Sequence, residues 1–293
     1  MTVHPARSTL TLAAMPPVDR PIPVPQTSAP RLAVILPAYN EADRIGATLG
    51  SIAAYRSRLG VDWPIVIADD GSTDETVAFA RARAGELGLP LEVVSFPHRG
   101  KALTVRDAML HVAASTDADF LMMLDADDEL RIDQLDHVEW AADPVIYIGR
   151  RVGETNGLAG ARPPFLRRLM SVGMRSANGL LLGLRFPDTQ CGFKLFPRAL
   201  VADLFGQQRS AGWVFDAELL VIANRVSGIA VREVPVTWSP RGQSKVTTRA
   251  ALSSVVSLIA VGLRFRRGAY HPIATTESPT TPRSSARPGD TNP

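Results

Sequence analysis

The sequence lacks several features that would assign a protein to a particular class. Its only cysteine is Cys191, so no disulfide can form within the chain, which fits a reducing compartment. The net charge of +3 is too small to suggest a nucleic-acid-binding protein. The longest largely apolar stretch, Ala250 to Leu263, is shorter than the about 20 residues needed to cross a bilayer. The N-terminal residues show no signal-peptide pattern. We therefore expect a cytoplasmic protein, either soluble or peripheral on the cytoplasmic membrane face.

The two ends of the chain contain little that a core could bury. Residues 1–29 are rich in proline, and residues 271–293 consist mainly of proline, threonine, serine and arginine. Such segments cannot offset the entropy lost on ordering, so both are predicted to be disordered tails. Residues 30–248 are long enough for one large domain, and residues 249–270 are predicted to form an amphipathic C-terminal helix.

Apolar runs alternate with helical patterns through the first half of the chain. Strands are predicted at residues 32–37, 65–68, 91–94 and 120–124, and helices at residues 41–59, 72–87 and 102–114. This alternation predicts an α/β fold: a single Rossmann-like domain with a mostly parallel central sheet flanked by helices. Further strands are predicted at residues 145–149 and 231–238, and one or two helices at residues 165–184. Pro235 indicates that the last strand is an edge strand or has an irregular end.

Polar and acidic residues follow four of the predicted strands, at residues 37–41, 69–74, 98–101 and 125–129. In open α/β sheets the ligand binds outside the carboxyl ends of the strands, so these segments should converge on one site. Asp125 and Asp127 are suitably spaced to hold one Mg²⁺ or Mn²⁺ that keeps open positions for substrate phosphates. Such an ion would neutralise charge on a departing diphosphate.

Each of these segments also has a purely structural interpretation. Residues 69–74 form a good turn followed by a helix N-cap, and the acids at 127–129 could favour the positive end of a helix dipole. A single acidic triplet is a weak motif. The convergence of four strand ends is what favours a binding site.

The segments 36–41, 69–74 and 125–127 together resemble the family 2 glycosyltransferases, which have the GT-A fold. The resemblance extends from about Arg31 to Tyr270. It implies a metal-dependent hexosyltransferase that binds a nucleotide-sugar. The signature Gln-x-x-Arg-Trp of processive family members is absent, which argues against polymer synthesis.

The resemblance assigns roles to individual positions. The residues implied to bind the nucleotide-sugar are Pro37, Ala38, Tyr39, Glu41, Asp69, Gly71, Lys101, Asp125 and Ala126. Asp125 and Asp127 are the implied ligands of Mg²⁺ or Mn²⁺. Asp127, Asp216 and Lys101 are the implied catalytic residues, although Asp216 could instead orient the acceptor or a lysine.

The second half of the chain is similar to the dolichyl-phosphate glucosyltransferase and mannosyltransferase branch of this family, through residues 188–196, 213–220 and 234–238. That branch transfers a sugar to a polyprenyl or dolichyl monophosphate, and residues 188–196 favour glucose, with UDP-glucose as the donor and inversion at the sugar carbon. Clustered arginines suit a phosphate, because guanidinium groups bind its oxygens in pairs. The candidates for binding the acceptor phosphate are Arg150, Arg151, Arg168 and Lys194.

Several alternatives remain open at this stage. The donor could be GDP-mannose, the acceptor could be a soluble molecule, or the protein could bind a nucleotide-sugar without catalysis. The helix at residues 250–267 has an apolar stripe, formed by Leu252, Val255, Val256, Ile259 and Leu263, and a basic end. It could lie on an anionic membrane or pack on the domain.

Overall fold

Seven strands form one sheet in the computed structural model, which describes residues 30–154, 177–239 and 248–274. The strands are β1 (Leu32–Ala38), β2 (Ile65–Asp69), β3 (Leu91–Ser95), β4 (Phe120–Leu124), β5 (Val145–Glu154), β6 (Phe193–Pro197) and β7 (Ala230–Trp238). Their order across the sheet is β3-β2-β1-β4-β6-β5-β7. The predicted α/β class is confirmed.

Helices cover both faces of this sheet. They are α1 (Ala42–Leu59), α2 (Thr76–Leu87), α3 (Lys101–Ser115), α4 (residues 177–182), α5 (Arg198–Gly206), α6 (Phe215–Leu220) and α7 (Thr248–Arg266). A 3₁₀ turn spans Ile132–His137, and a π-helical turn, Val221–Val226, continues α6. One core cluster lies on each face of the sheet.

The first four strands are parallel, as the sequence predicts. The three helices predicted in the first half of the chain follow β1, β2 and β3 in turn. The second helix is shorter than expected, because it begins at Thr76 rather than at residue 72. The side chain of Asp74 accepts a hydrogen bond from the Thr76 N–H at 3.0 Å, and Asp69 accepts one from the Ser72 N–H at 3.0 Å. These two bonds hold residues 70–75 as a turn, so the helix starts only after it.

The sequence did not predict β6, which lies antiparallel between β4 and β5. Its five residues are buried and include Lys194, so the run is too short and too interrupted to be recognised by periodicity. Because β6 is antiparallel to both neighbours, the sheet is mixed rather than wholly parallel. Among the described strands β7 pairs with β5 alone, and it forms the edge that Pro235 indicates.

The C-terminal helix α7 packs on the domain through Leu258 and Val261, which are buried. Of its predicted apolar stripe, Val255, Val256, Ile259 and Leu263 are exposed. No helix among the described residues is long and apolar enough to cross a membrane.

Most residues of the predicted tails lie outside the described part of the chain, as do Arg168 and most of the helix or helices predicted at residues 165–184. Residues 271–274 are described. Here Ile273 is buried, and its N–H donates to the Ser227 hydroxyl at 3.0 Å.

Candidate active site

The loops after β1 and β2 are joined into one floor at the carboxyl edge of the sheet. The Asn40 N–H donates to the Ser72 hydroxyl at 3.0 Å, and the Thr73 N–H donates to the Asn40 side-chain oxygen at 2.9 Å. The Glu41 N–H donates to the Thr76 hydroxyl at 2.8 Å. Asn40 has a φ of 51°, a left-handed conformation that asparagine tolerates better than most residues. The structure thus brings together the first two predicted segments, including Pro37, Ala38, Tyr39, Glu41, Asp69 and Gly71.

An aromatic surface lies over this floor. The Tyr39 ring stacks on the His98 ring with centroids 4.2 Å apart and planes 22° apart. Gly71 has a φ of 72°, and a Cβ at this position would approach the backbone nitrogen of His98 to 2.9 Å. Only glycine therefore fits here. The two rings are partly exposed and could stack against a planar ligand.

Asp70 fixes the loop between β3 and α3 that carries Lys101. Its buried carboxylate accepts hydrogen bonds from the Arg99 N–H at 2.9 Å, the Gly100 N–H at 3.0 Å and the Thr104 hydroxyl at 2.7 Å. His98 Nδ1 lies 2.9 Å from the same carboxylate. A carboxylate that satisfies this many donors is a rigid anchor, so Lys101 enters the site from a fixed helix start.

The Lys101 ammonium forms an ion pair with Asp125, the residue that follows β4. Burial alone would raise the pKa of Asp125, but the adjacent ammonium outweighs it and holds this pKa below its ordinary value. The same pairing raises the pKa of Lys101 against the effect of burial. At neutral pH both groups are therefore charged.

Asp125 occupies its position only because residue 192 has no side chain. A Cβ on Gly192 would overlap the carboxylate of Asp125. The two residues are also joined through the backbone, since the Asp125 N–H donates to the Gly192 carbonyl at 3.1 Å. Gly192, absent from the predicted site, is thus part of it. Its contact could not be foreseen because it depends on the pairing of β4 with β6, which are adjacent in the sheet but distant in sequence.

Asp127 has the opposite electrostatic environment. Burial, followed by repulsion from Asp125 and Glu129, raises its pKa to about 6. The neighbouring Asp128 has a φ of 54°, and Thr48 of α1 donates to the Ala126 carbonyl at 2.9 Å, which supports the turn from below. Two neighbouring carboxylates, one of them with a pKa raised by burial and then by its acidic neighbours, form a site that a divalent cation would stabilise.

The residues present therefore fit a cation with few protein ligands. The structure shows no group of three or more His, Cys, Asp or Glu side chains arranged around a metal position in the described ranges. Two carboxylates suit Mg²⁺ or Mn²⁺ that takes its remaining ligands from water and substrate phosphates. The Glu129 carboxylate accepts a hydrogen bond from Trp238 Nε1 at 2.9 Å, which links the turn to β7.

A second, deeper ion pair lies behind Asp125. Lys194 is almost completely buried, and its ammonium lies 2.8 Å from the Asp216 carboxylate at the start of α6. Burial raises the pKa of Asp216, although Lys194 opposes this shift. Lys194 also donates to the Cys191 carbonyl. The structure thus places Lys194 against Asp216 rather than on an open surface, and any effect of it on an acceptor acts through Asp216.

Arg150 and Arg151 point to opposite faces of β5, as successive strand residues do. Arg151 binds Asp188 through two nitrogens at 2.7 and 2.8 Å and lies 5.6 Å from the centroid of the Trp238 ring. Its charge also contributes to the lowered pKa of Asp125. Arg150 instead influences Glu233 on the other face. Arg151 is therefore linked to Asp125, whereas Arg150 acts on Glu233, whose pKa Asp188 also raises. The role of both arginines at an acceptor phosphate stays a prediction.

The comparisons with known proteins identify the family of the chain. Residues 33–205 match the model of glycosyl transferase family 2. The chain belongs to this family. It is 31% identical to the dolichyl-phosphate beta-glucosyltransferase of Saccharomyces cerevisiae over 82% of this chain and 76% of that protein. It is also 31% identical to the enzyme of the same name from Drosophila melanogaster, over 74% of this chain and 69% of that protein.

Solved structures confirm the GT-A fold. The chain resembles glucosyl-3-phosphoglycerate synthase from Mycobacterium tuberculosis, solved with uridine diphosphate, at a TM-score of 0.54 and 21% identity, over 80% of each chain. Mannosyl-3-phosphoglycerate synthase from Rubrobacter xylanophilus gives a TM-score of 0.53 at 19% identity, over 87% of this chain and 79% of that one. At these identities the likeness concerns the fold alone.

Proposed function

We propose that this enzyme transfers glucose from UDP-glucose to a dolichyl or polyprenyl monophosphate, with inversion at the sugar carbon. The observation that carries the proposal is the similarity to dolichyl-phosphate beta-glucosyltransferases over most of the chain. The proposal is also supported by the ion pair of Lys101 with Asp125 at the carboxyl edge of the sheet, where both act on Asp127. A solved neighbour of the same fold binds Mn²⁺ and UDP-glucose, which supports this donor and a divalent ion.

The donor would lie on the floor formed after β1 and β2, with its base near Tyr39 and Asp69. Asp125 and Asp127 would hold Mg²⁺ or Mn²⁺, and this ion would supply positive charge to the diphosphate. Lys101, which is paired with Asp125, would also donate to a phosphate oxygen of the diphosphate. The leaving group would then be neutralised from two sides.

The acceptor phosphate would supply its own nucleophile. A phosphate monoester is largely ionised near neutral pH, so its oxygen needs no strong general base. The oxygen attacks the sugar carbon as the bond to UDP breaks, and UDP departs with the electron pair. Asp216 is held by Lys194 and would act by orientation and charge rather than as a free base. Arg151, supported by Asp188, would attract the acceptor phosphate.

The test is transfer from radiolabelled UDP-glucose to dolichyl phosphate in detergent, with Mg²⁺, Mn²⁺ or EDTA. We expect label in the chloroform phase only with a divalent ion, and a β-linked sugar by NMR. GDP-mannose serves as the competing donor and 3-phosphoglycerate as a soluble phosphate acceptor. Label that stays in water with every lipid acceptor, while 3-phosphoglycerate is glucosylated, would contradict the lipid assignment. Binding of UDP-glucose without any turnover would indicate a noncatalytic binding protein.

A further inference from the structure

One face of α7 packs on the domain, and the opposite face exposes apolar side chains. Val255, Val256, Ile259 and Leu263 are between 44% and 65% exposed. With 3.6 residues per turn these positions fall on one side of the helix, opposite the buried Leu258 and Val261. Large apolar side chains gathered on one exposed face usually mark an interaction surface.

A basic end completes this surface. Arg266 and Arg267 continue the exposed side of the helix beyond Leu263, and both are exposed. The helix sequence from Thr248 to Arg266 contains no aspartate or glutamate. An apolar face followed by arginines, without acids, complements a lipid surface with negative headgroups. A protein partner would need both an apolar and an acidic patch in matching positions.

The surface is joined firmly to the helix that carries Asp216. Glu218 of α6 is completely buried and accepts hydrogen bonds from the Tyr270 hydroxyl at 2.6 Å and from the Ser210 N–H at 2.7 Å. Arg264 of α7 lies 3.4 Å from the same carboxylate. A lipid surface in contact with α7 would therefore lie at a fixed orientation to α6, two residues from Asp216.

We propose that this face, defined by Val255, Val256, Ile259 and Leu263 with Arg266 and Arg267, docks on an anionic phospholipid surface. The choice of a lipid occupant rests on the proposed function, in which the acceptor is a lipid phosphate. The helix lies in the headgroup region without crossing the bilayer. Docking brings the membrane-bound acceptor toward α6, the helix that carries Asp216.

The experiment is flotation of the full chain with vesicles of phosphatidylcholine, with and without phosphatidylglycerol. We expect co-flotation with the anionic vesicles, weakened by salt because exposed charges are screened. Ile259→Glu should reduce the bound fraction at least about tenfold, since it places a charge in the apolar contact. Leu59→Glu is the matched control, because Leu59 is 41% exposed and Ile259 is 45% exposed. It should float like the wild type.

Unchanged flotation of Ile259→Glu, or wild-type protein that does not bind anionic vesicles, would overturn the proposal. A wild-type dimer that Ile259→Glu dissociates would assign the face to a second copy instead. Equal thermal midpoints of the two variants exclude misfolding as the cause of lost binding. Glucose transfer to a short, water-soluble prenyl phosphate should be the same in Ile259→Glu and wild type. If neither transfers glucose but the wild type floats, the proposed function fails and the docking surface stands.

Discussion

The half of the site proposed to bind the donor, built on β1 to β4, differs from the half proposed to bind the acceptor, built on β6, β5, α6 and β7. We call them the donor half and the acceptor half. In the donor half, each strand is followed by a polar loop, and hydrogen bonds join these loops to one another, from Asn40 to Ser72 and from Arg99 to Asp70. In the acceptor half, the charged residues lie within strands and are fixed by ion pairs with residues of other elements. Lys194 depends on Asp216, and Arg151 on Asp188. The first half is built from loops that converge at the carboxyl ends of parallel strands, whereas the second depends on which side chains the pairing of β5 and β6 brings together.

The contact between Gly192 and Asp125 joins the two halves, and breaking it should have the largest effect. We expect Gly192→Ala to lower kcat/KM by about 10²-fold or more, because the new Cβ displaces the Asp125 carboxylate. Steady-state kinetics with UDP-glucose and dolichyl phosphate would measure this loss.

Gly85→Ala is the matched control for that substitution. A Cβ on Gly85, in α2, meets nothing within 4 Å. The control should keep full activity and gain up to about 1 kcal/mol in the free energy of unfolding, because alanine is the better helix former. If Gly192→Ala also kept full activity, the position of Asp125 would not be critical.

Breaking the buried ion pair between Lys194 and Asp216 in the acceptor half should have the second-largest effect. Lys194→Met leaves the Asp216 carboxylate buried without its partner, and we expect a loss of about 3 kcal/mol or more in the free energy of unfolding. Adding Asp216→Asn should restore much of this loss, because the uncompensated charge is removed. Urea unfolding of the single and double variants measures the coupling. A double variant no more stable than Lys194→Met would show that the pair is not the cause.

In the donor half, removing the charge of Asp127 should raise the free energy of unfolding, whereas Lys194→Met should lower it. Its pKa of about 6, raised by burial and by Asp125, means that the folded protein binds this proton more tightly than the unfolded chain does. The ionised carboxylate therefore destabilises the fold as pH rises from about 4 through 6. In EDTA at pH 8, we expect Asp127→Asn to be more stable by about 1–2 kcal/mol while transferring no glucose.

The pH dependence of that gain is its internal control. The advantage of Asp127→Asn in EDTA should shrink toward pH 5, where the wild-type carboxyl is largely protonated. Mn²⁺ with UDP should also reduce it, since the ligands bind and stabilise the wild type more strongly. A difference independent of pH would mean that side-chain packing, rather than charge, separates the two proteins.

The two halves also differ in what could be predicted from sequence. Strands β1 to β4 were predicted because buried parallel strands are continuous apolar runs, and their loops were predicted as a site because parallel carboxyl ends converge. β6 was not, because it is short, antiparallel and contains a lysine. The overlap at Gly192 and the separation of Arg150 from Arg151 depend on how β6 and β5 pair with their neighbours. No local pattern contains that information.

The two neighbouring arginines provide the smallest and sharpest test of the acceptor half. We expect Arg151→Ala to raise the KM for dolichyl phosphate about tenfold, the equivalent of about 1.4 kcal/mol, and Arg150→Ala to change it less than about twofold. The reason is geometric: Arg151 lies on the face of β5 that contains Asp188 and Trp238 and acts on Asp125, whereas Arg150 lies on the other face beside Glu233. Varying dolichyl phosphate at saturating UDP-glucose separates KM from kcat. If Arg150→Ala raised this KM more than Arg151→Ala does, the acceptor phosphate would have to bind on the face of β5 opposite Arg151.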